Sequence, residues 1–300
     1  MKGLLQDILV AKETKSLFAV LNIIHFMKKN IILKVSLIFY VVVFCSHVYG
    51  QNQLFKYDLE YKANPLIDKT ILEKTVLDIK DKNLSIFRTE HEKKSDSLIA
   101  KTRFGLGRRP TFENQFYIIK KLADNEVKKS ILTMYSEIFS ININEKLNWE
   151  IFPEKNKIGT FEVQKAIVNY GGRNWIAWFA SEIPIQDGPY IFHGLPGLII
   201  KISDNENNYI FSLTEIKDSK GDINYRTKGS ELTWKQFEKL SENYYSDPLA
   251  RLKSLGMPIK VDDGNGNGVT PDMKILSDQM KKTIRENNNP IELNHKIDYK

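Results

Sequence analysis

Cysteine is nearly absent from this sequence: Cys45 is the only one in 300 residues. A single thiol forms no intrachain disulfide and cannot assemble a cysteine-based metal cluster. The residue before it is Phe44, where a lipid-anchored protein would need a small side chain. The fold must therefore be held by a hydrophobic core, and the roughly 250 residues that follow residue 50 are enough to build one.

The sequence also lacks an apolar run long enough to cross a bilayer. The run at 35–45 has about 11 residues, whereas a spanning helix needs about 20. Lys28 and Lys29 precede this run, and the smaller residues Val48 and Gly50 follow it. A positive start, a short apolar stretch and small residues before a cut are the layout of a secretory signal peptide.

This layout predicts how the chain is organised. We expect residues 27–50 to be a cleaved signal peptide, residues 1–26 to be an upstream extension outside the fold, and residues 51–300 to be one domain. An uncleaved membrane anchor is the alternative, and either Met1 or Met27 is the natural start. The expected mature protein is exported, to the periplasm or the extracellular space, and has no transmembrane span.

A strong excess of positive charge is missing as well. Of the 44 basic and 37 acidic residues, six and two lie before residue 51, which leaves 38 and 35 in the expected mature chain. Both signs are mixed, as in EHEKKSD at 90–96, which we interpret as a charged surface loop. Nucleic acid requires a basic stripe that this sequence does not contain, so we exclude it as a partner.

Motifs of the common catalytic and metal sites are also lacking. The chain has neither a HExxH zinc motif nor a GxSxG nucleophile elbow. Oxygen-bearing residues at 263–274 are spaced as in a calcium loop, but Lys274 stands where a bidentate glutamate is needed. We predict no metal, no cofactor and no catalytic residue, although two carboxylates distant in sequence could still meet in space.

Most of the chain from residue 51 to about residue 216 alternates between apolar and polar residues. In QLFKYDLEY at 53–61, for example, Phe55, Tyr57, Leu59 and Tyr61 occupy every second position. Segments of about 5–10 residues with this alternation, separated by Asn, Asp, Gly and Pro, are typical of antiparallel strands. The sequence therefore predicts an α+β protein in which a curved antiparallel sheet, or partial barrel, wraps its own core.

After about residue 221 the spacing of apolar residues becomes helical. Thr233 and Gln236 form a capping-box pattern, and SDPLARLKSLG at 246–256 has the proline and glycine that begin and end a helix. The Thr-Pro pair at 270–271 marks a third start. We expect three short helices to cover an open end or a face of the sheet, with the chain at 287–294 returning to an extended form.

The segment GPYIFHGLPGLIIKISD, which begins at Gly188, combines turn-forming residues with an apolar run. Gly188 and Pro189 mark one corner, and Pro196 with Gly197 fits a type II turn in which Gly197 has a positive φ. Gly194 would permit a close backbone approach before that turn. The strand that follows does not alternate, so both of its faces should be covered. We interpret the segment as a buried structural corner.

A ligand site is the alternative interpretation of the same region. Arg173, Trp175, Tyr190 and His193 are polar or aromatic residues close to these turns. If they converge on the concave side of the sheet, they line a groove with an apolar floor. Arg173→Ala and His193→Ala would then impair binding and leave the melting temperature nearly unchanged.

The hexapeptide GLPGLI at 194–199 resembles the signature of the GLPGLI family, exported proteins of Bacteroidota that are named for it. The preceding QKAIVNYGGRNWIAWFASEIPIQDGPYIFH resembles the central block of that family, and NNPIEL at 288–293 resembles its closing segment. The resemblance runs from about Phe55 to Leu293 and is densest at 164–204. This family has no established biochemical activity, so the resemblance implies a compartment and a fold more than a function.

These observations favour an exported envelope protein of unknown biochemical activity. We expect a non-enzymatic binding module for an apolar or amphipathic ligand, or for an envelope partner protein, because catalytic motifs are lacking beside a strongly apolar block. Two alternatives stay open. One is a hydrolase-type enzyme with catalytic carboxylates dispersed in the sequence, and the other is a structural partner of outer-membrane machinery.

Overall fold

A computed structural model describes residues 52–300 of the chain, apart from residues 81–82, 107–114, 134–136, 220–221, 257–258, 263 and 265. The predicted extension at 1–26 and signal peptide at 27–50 lie outside the described residues, as do two positions of the calcium-like loop. Residues Asn52–Lys300 form one unit. None of the helices described within this unit is long and apolar enough to span a membrane.

The described residues contain a sheet of twelve strands and a separate two-stranded ribbon. Side chains along a strand point alternately to its two faces. In the first strand Phe55, Tyr57 and Leu59 are fully buried while the residues between them are not, as the alternation predicted. The strands of the sheet are β1 (Asn52–Tyr61), β2 (Ile71–Lys80), β3 (Leu84–Thr89), β4 (Tyr117–Lys121), β5 (Glu126–Leu132), β6 (Ile138–Asn142), β7 (Glu150–Ile158), β8 (Phe161–Tyr170), β9 (Arg173–Ala180), β10 (Leu198–Asp204), β11 (Tyr209–Ser219) and β12 (Ser230–Leu232); the ribbon consists of β13 (Val261–Asp262) and β14 (Gly268–Val269).

Hydrogen bonds order the strands of the sheet as β12-β6-β5-β4-β3-β2-β1-β11-β10-β9-β8-β7. Neighbouring strands pair antiparallel, except that β12 runs parallel to β6. The sheet is curled but not closed, and β12 and β7 are its two edges. The predicted α+β class with a curved antiparallel sheet is confirmed.

Four short helices accompany the strands in the described part of the chain: α1 (Glu90–Thr102), α2 (Trp234–Ser246), α3 (Ala250–Ser254) and α4 (Met273–Glu286). The capping box predicted for α2 is confirmed, because the side chains of Thr233 and Gln236 each accept a hydrogen bond from the backbone N–H of the other. Helix α4 begins later than predicted, since Asp272 caps it instead of Thr270. The rings of Trp234 and Phe237 on α2 pack against the core of the sheet.

The interpretation of EHEKKSD at 90–96 as a surface loop was wrong, because these residues form the first half of α1. Thr89 and Glu92 make a reciprocal capping box at the start of this helix. On the side facing the sheet, Arg88 of β3 binds Asp96 at 2.5 Å and Asp78 at 2.9 Å. The helix was missed because ion pairs, and not an apolar stripe, attach it to the sheet.

Candidate functional site

Residues 181–197, which connect β9 to β10, pack against the inward face of the sheet, and we call them the filling segment. Within it the side chains of Tyr190 and Phe192 are fully buried. The ring of Tyr190 lies 6.4 Å from that of Phe87 in β3, and the ring of Phe192 lies 4.7 Å from that of Trp175 in β9. Strands β3 and β9 are five places apart in the sheet, so one segment bridges its concave side. That side is occupied by the protein's own chain.

The structure exchanges the roles that we predicted for two glycines. Gly194 has the positive φ, at 92°, whereas Gly197 is absent from the positive-φ residues of the described chain. A Cβ atom on Gly197 would instead collide with the carbonyl oxygen of Ala180 in the neighbouring strand. Gly197 is therefore required by a close backbone approach, and Gly194 by its backbone conformation.

The predicted type II turn from Leu195 to Leu198 is also wrong. The N–H of Gly197 donates to the carbonyl oxygen of Leu195 at 2.8 Å, which closes a tighter turn of three residues around Pro196. The N–H of Leu198 donates to the carbonyl oxygen of Ile183, which lies in the filling segment, at 3.1 Å. The residue that follows this turn is therefore hydrogen-bonded to the start of the filling segment.

The corner predicted at Gly188 and Pro189 is equally crowded. A Cβ atom on Gly188 would lie 2.7 Å from Cδ1 of Ile199 in β10. The carbonyl oxygen of Pro189 accepts a hydrogen bond from the N–H of Phe192 at 3.1 Å. Tyr190 between them has a φ of 53°, which is uncommon for a bulky residue.

Three of the four residues that we proposed for a ligand groove lie in the interior. Arg173, Trp175 and Tyr190 are 4%, 0% and 0% exposed. His193 is partly exposed, and its Nδ1 lies 2.7 Å from the carbonyl oxygen of Ile191. The four residues do share one region of the fold, but the buried three make internal contacts and line no open groove.

Arg173 fastens the closing segment NNPIEL to the sheet. Its guanidinium pairs with Asp204 at 2.8 Å and donates to the side-chain oxygen of Asn289 at 2.6 Å. It also donates to the carbonyl oxygens of Pro290 and Ile291, at 2.8 Å and 3.1 Å. This network makes Arg173 a structural anchor, contrary to our expectation that its loss would leave the melting temperature nearly unchanged.

A second buried network has Glu292 of the closing segment at its centre. Oε1 of Glu292 accepts hydrogen bonds from the hydroxyls of Tyr170 at 2.9 Å and Tyr190 at 2.5 Å. Oε2 accepts from Nζ of Lys129 at 2.8 Å, and Lys129 also donates to the Tyr190 hydroxyl at 2.9 Å. One carboxylate therefore joins β5, β8 and the filling segment.

The pKa values in this network favour a fixed distribution of charge. Burial alone would raise the pKa of Glu292, but the charge and hydrogen bond of Lys129 and the hydrogen bonds of the two tyrosines outweigh it, so the pKa lies below its ordinary value. Burial first, and the charge of Glu292 second, raise the pKa of both Tyr170 and Tyr190 well above the ordinary value. Glu292 thus stays ionised at neutral pH while the tyrosines stay protonated.

A small cavity of about 30 Å³ lies beside the Glu292 network, with room for one or two water molecules. One wall is formed by the rings of Trp234 and His295, which stack with their centroids 4.0 Å apart. Burial lowers the pKa of His295, so its imidazole is neutral at neutral pH. The cavity is lined by Lys129, Ile131, Trp234, Phe237, Asn288, Pro290, Glu292, His295, Ile297 and Tyr299.

An open cleft of about 440 Å³ adjoins this cavity, because Asn288, Ile297 and Tyr299 line both. The remaining lining residues of this C-terminal cleft are Arg285, Lys296 and Asp298. Arg285 donates to the hydroxyl of Tyr245 at 2.8 Å, and the ring of Tyr245 lies 4.9 Å from that of Tyr299. Two cations and one carboxylate therefore surround an aromatic wall.

A buried ion pair joins β4 to the filling segment. Lys120 and Asp187 are 0% and 2% exposed, and Nζ of Lys120 donates to Oδ1 of Asp187. Nζ also donates to the carbonyl oxygen of Gly188 at 2.8 Å, and the Gly188 N–H donates to the same Oδ1 at 2.8 Å. The other oxygen, Oδ2, is buried and has no hydrogen-bond partner in the described structure. Burial lowers the pKa of Lys120, and Asp187 offsets only part of that shift.

No three His, Cys, Asp or Glu side chains of the described residues come together as a metal site would need. Part of the calcium-like loop connects β13 to β14. There Oδ1 of Asp262 accepts the N–H groups of Gly264 at 2.8 Å and Gly266 at 3.0 Å, so this carboxylate serves the loop itself.

Our sequence predictions missed the buried lysines. In β4 the residues Ile118 and Lys120 share the inward face, as Val127 and Lys129 do in β5. The parity of the alternation carried this signal, since each lysine lies two residues from a buried aliphatic side chain. The alternation could not show which carboxylate pairs with each lysine. Asp187 lies 67 residues after Lys120, and Glu292 lies 163 residues after Lys129.

The fold and its buried networks define an α+β protein whose sheet encloses a segment of its own chain. A family model described as "Protein of unknown function (Porph_ging)" matches residues 170–201, which include Arg173 and the whole filling segment. Two solved structures of PNGF-II, in space groups C2 and P21, match with TM-scores of 0.45 and 0.46 at 15% and 16% identity. These matches cover 63% and 64% of this chain but 32% and 34% of the PNGF-II chains, so this chain spans about a third of their length. No curated protein matches the sequence.

Proposed function

We propose that this protein is an exported, non-enzymatic binding module that takes an amphipathic ligand with an acidic head in the C-terminal cleft. The observation that carries the proposal is the composition of that cleft. Arg285 and Lys296 supply two positive charges against the one carboxylate of Asp298. Tyr299 and Ile297 supply apolar contact and also line the adjoining cavity. The volume of the cleft is about 440 Å³, and its open shape leaves part of a bound ligand in contact with solvent.

The cleft replaces the site that we first expected. A groove on the concave side of the sheet would need that side to be open, but Tyr190 and Phe192 of the filling segment are fully buried there. Displacing them would expose aromatic rings and break the bond between Tyr190 and Glu292. A ligand is accommodated at lower cost in a cleft that is already open to solvent.

Binding is favoured over acid–base catalysis by the state of Glu292. A general acid or base works best with a pKa near the operating pH. The pKa of Glu292 is lowered, and its two oxygens already accept hydrogen bonds from Lys129, Tyr170 and Tyr190. This carboxylate is held as an internal counter-ion and is poorly suited to exchange protons with a substrate.

We also propose that the chain is a member of the GLPGLI family. Support comes from the contact between the two segments that carry the resemblance. The central block at 164–204 and the closing segment at 288–293 meet through Arg173 and Glu292, although more than 80 residues separate them. A sequence pattern with two distant parts thus corresponds to one structural unit.

Calorimetric titration tests the proposed ligand class. Dodecanoate is titrated into the protein, with dodecyl maltoside as a neutral amphiphile of equal chain length. We expect the carboxylate to bind more tightly, and the double variant Arg285→Ala/Lys296→Ala to lose about tenfold in affinity, equivalent to about 1.4 kcal/mol. Lys155→Ala, on exposed β7, is the matched control and should bind like the parent. Equal binding of the two amphiphiles, or an unchanged double variant, contradicts the proposal.

A further inference from the structure

We propose that Lys120 and Asp187 are joined by an intramolecular isopeptide bond, a covalent modification that ties β4 to the filling segment. The amide would connect Nζ of Lys120 to Cγ of Asp187. The expected mature chain contains no cysteine. A link of this kind would supply the covalent constraint that disulfides give other exported proteins.

The two side chains are held in position for condensation. Nζ of Lys120 contacts Oδ1 of Asp187, which is bonded directly to the carbon that it would attack. The backbone of Gly188 orients both groups, since its carbonyl oxygen accepts from Nζ and its N–H donates to Oδ1, each at 2.8 Å. Fixing two reactants in this way removes much of the entropic barrier to their reaction.

The remaining oxygen of Asp187 is suited to be the leaving group. Oδ2 is buried and has no hydrogen-bond partner in the described structure, so its departure breaks no hydrogen bond. An unpaired buried oxygen and two desolvated charges are costly to keep. Condensation removes the unpaired oxygen as water and replaces both charges with a neutral amide. Oδ1 becomes the amide oxygen and keeps its hydrogen bond from the Gly188 N–H.

The reaction balances without any further reagent. The Lys120 ammonium transfers one proton to Oδ1 of Asp187, to which it is hydrogen-bonded, and this leaves a neutral amine and a neutral acid. The nitrogen lone pair then attacks Cγ and forms the C–N bond. As the bond from Cγ to Oδ2 breaks, Oδ2 takes the proton of Oδ1 and a second proton from nitrogen, and it leaves as water. Burial lowers the pKa of Lys120, which favours the neutral amine.

Mass spectrometry of the purified full chain decides the matter. We expect the intact mass to be about 18 Da, one water, below that calculated for its observed N-terminus. A protease digest should contain one branched peptide in which fragment ions place the link between Lys120 and Asp187. An intact mass equal to the calculated one overturns the proposal, and this measurement on the parent protein needs no variant to fold.

A matched variant excludes the competing dehydration. Asp187 precedes Gly188, and an Asp-Gly pair can also lose water by cyclising to a succinimide on its own backbone. Lys120→Arg keeps the charge but should have the full calculated mass and no branched peptide, as should Asp187→Ala. If the loss of water persists in Lys120→Arg, or if no branched peptide accompanies it in the parent, the succinimide explains the mass and the isopeptide bond is rejected.

Discussion

Nε of Arg173 donates a hydrogen bond to the carbonyl oxygen of Ile291 at 3.1 Å, although 118 residues separate the two in sequence. Around this bond the central block at 164–204 and the closing segment at 288–293 are in close contact. A Cβ atom on Gly171 would lie 3.0 Å from Cα of Glu292, and the N–H of Asn294 donates to the carbonyl oxygen of Gly171. The closing segment is therefore part of the core, and not a tail appended to the last helix.

Arg173→Ala should destabilise the protein by about 3–5 kcal/mol, because Asp204 is left buried without its counter-charge. Equilibrium unfolding in urea at pH 7 measures this loss. Lys155→Ala on exposed β7 is the control and should stay within about 0.5 kcal/mol of the parent. An Arg173→Ala protein that unfolds at the parental urea concentration would favour the alternative interpretation, in which this residue lines a ligand groove.

Substitutions at the two signature glycines should separate their roles. Asn tolerates a positive φ better than most residues, so Gly194→Asn should be milder than Gly194→Val, which carries backbone strain of about 1–3 kcal/mol. At Gly197 any Cβ atom meets the backbone of Ala180, so Gly197→Ala should already cost about 1–3 kcal/mol and Gly197→Asn no less. Thermal melts of the four variants give the comparison. If Gly197→Asn is milder than Gly197→Ala, backbone conformation controls that position after all.

The strands were predictable because their cause is local. A strand with one buried face must alternate, and β1 shows this alternation within its own residues. Helix α2 was predictable for the same reason, since Thr233 and Gln236 cap it within four residues. Where a feature depends on a neighbour in sequence, one sequence is enough to find it.

The buried networks were not predictable, because their partners are distant. The charge of Lys129 is stable in the core only because Glu292 pairs with it, and the residues near Lys129 in sequence give no sign of that carboxylate. The same holds for Gly197, whose requirement comes from Ala180 in another strand. The turn-forming residues of GLPGLI predicted a structural corner. Tertiary packing determines that Gly194 has the positive φ and that Gly197 makes the close backbone approach.

The pH dependence of stability should depend on Glu292. Its folded-state pKa lies below the ordinary value of 4.5, so its contribution to the free energy of unfolding is complete above about pH 4.5 and is lost as the pH falls through the folded-state pKa. Glu292→Gln should lower stability at pH 7, because Lys129 loses its counter-charge, and should flatten the stability curve below about pH 4.5. Urea unfolding between pH 3 and pH 7 measures both effects.

Glu162→Gln, at an exposed position of β8, is the control for this experiment, since it removes a carboxylate without removing a buried partner. Its stability curve should run parallel to that of the parent. If the curve of Glu292→Gln is parallel as well, then Glu292 does not provide the acid-sensitive part of the stability.

Export can be tested on the sequence that precedes the described residues. If 27–50 is a cleaved signal peptide, protein recovered from outside the cytoplasm of its own host should begin at or near Gln51. A charge in the short apolar run weakens its insertion, so Val42→Asp should hold the chain inside the cell with an uncleaved terminus. Val10→Asp is the matched control: it is the same substitution, but it lies in the predicted upstream extension, and a start at Met27 predicts no effect. N-terminal sequencing of the three proteins gives the answer. Recovery of the parent in the membrane fraction with residues 35–45 still attached would show that the run is an anchor.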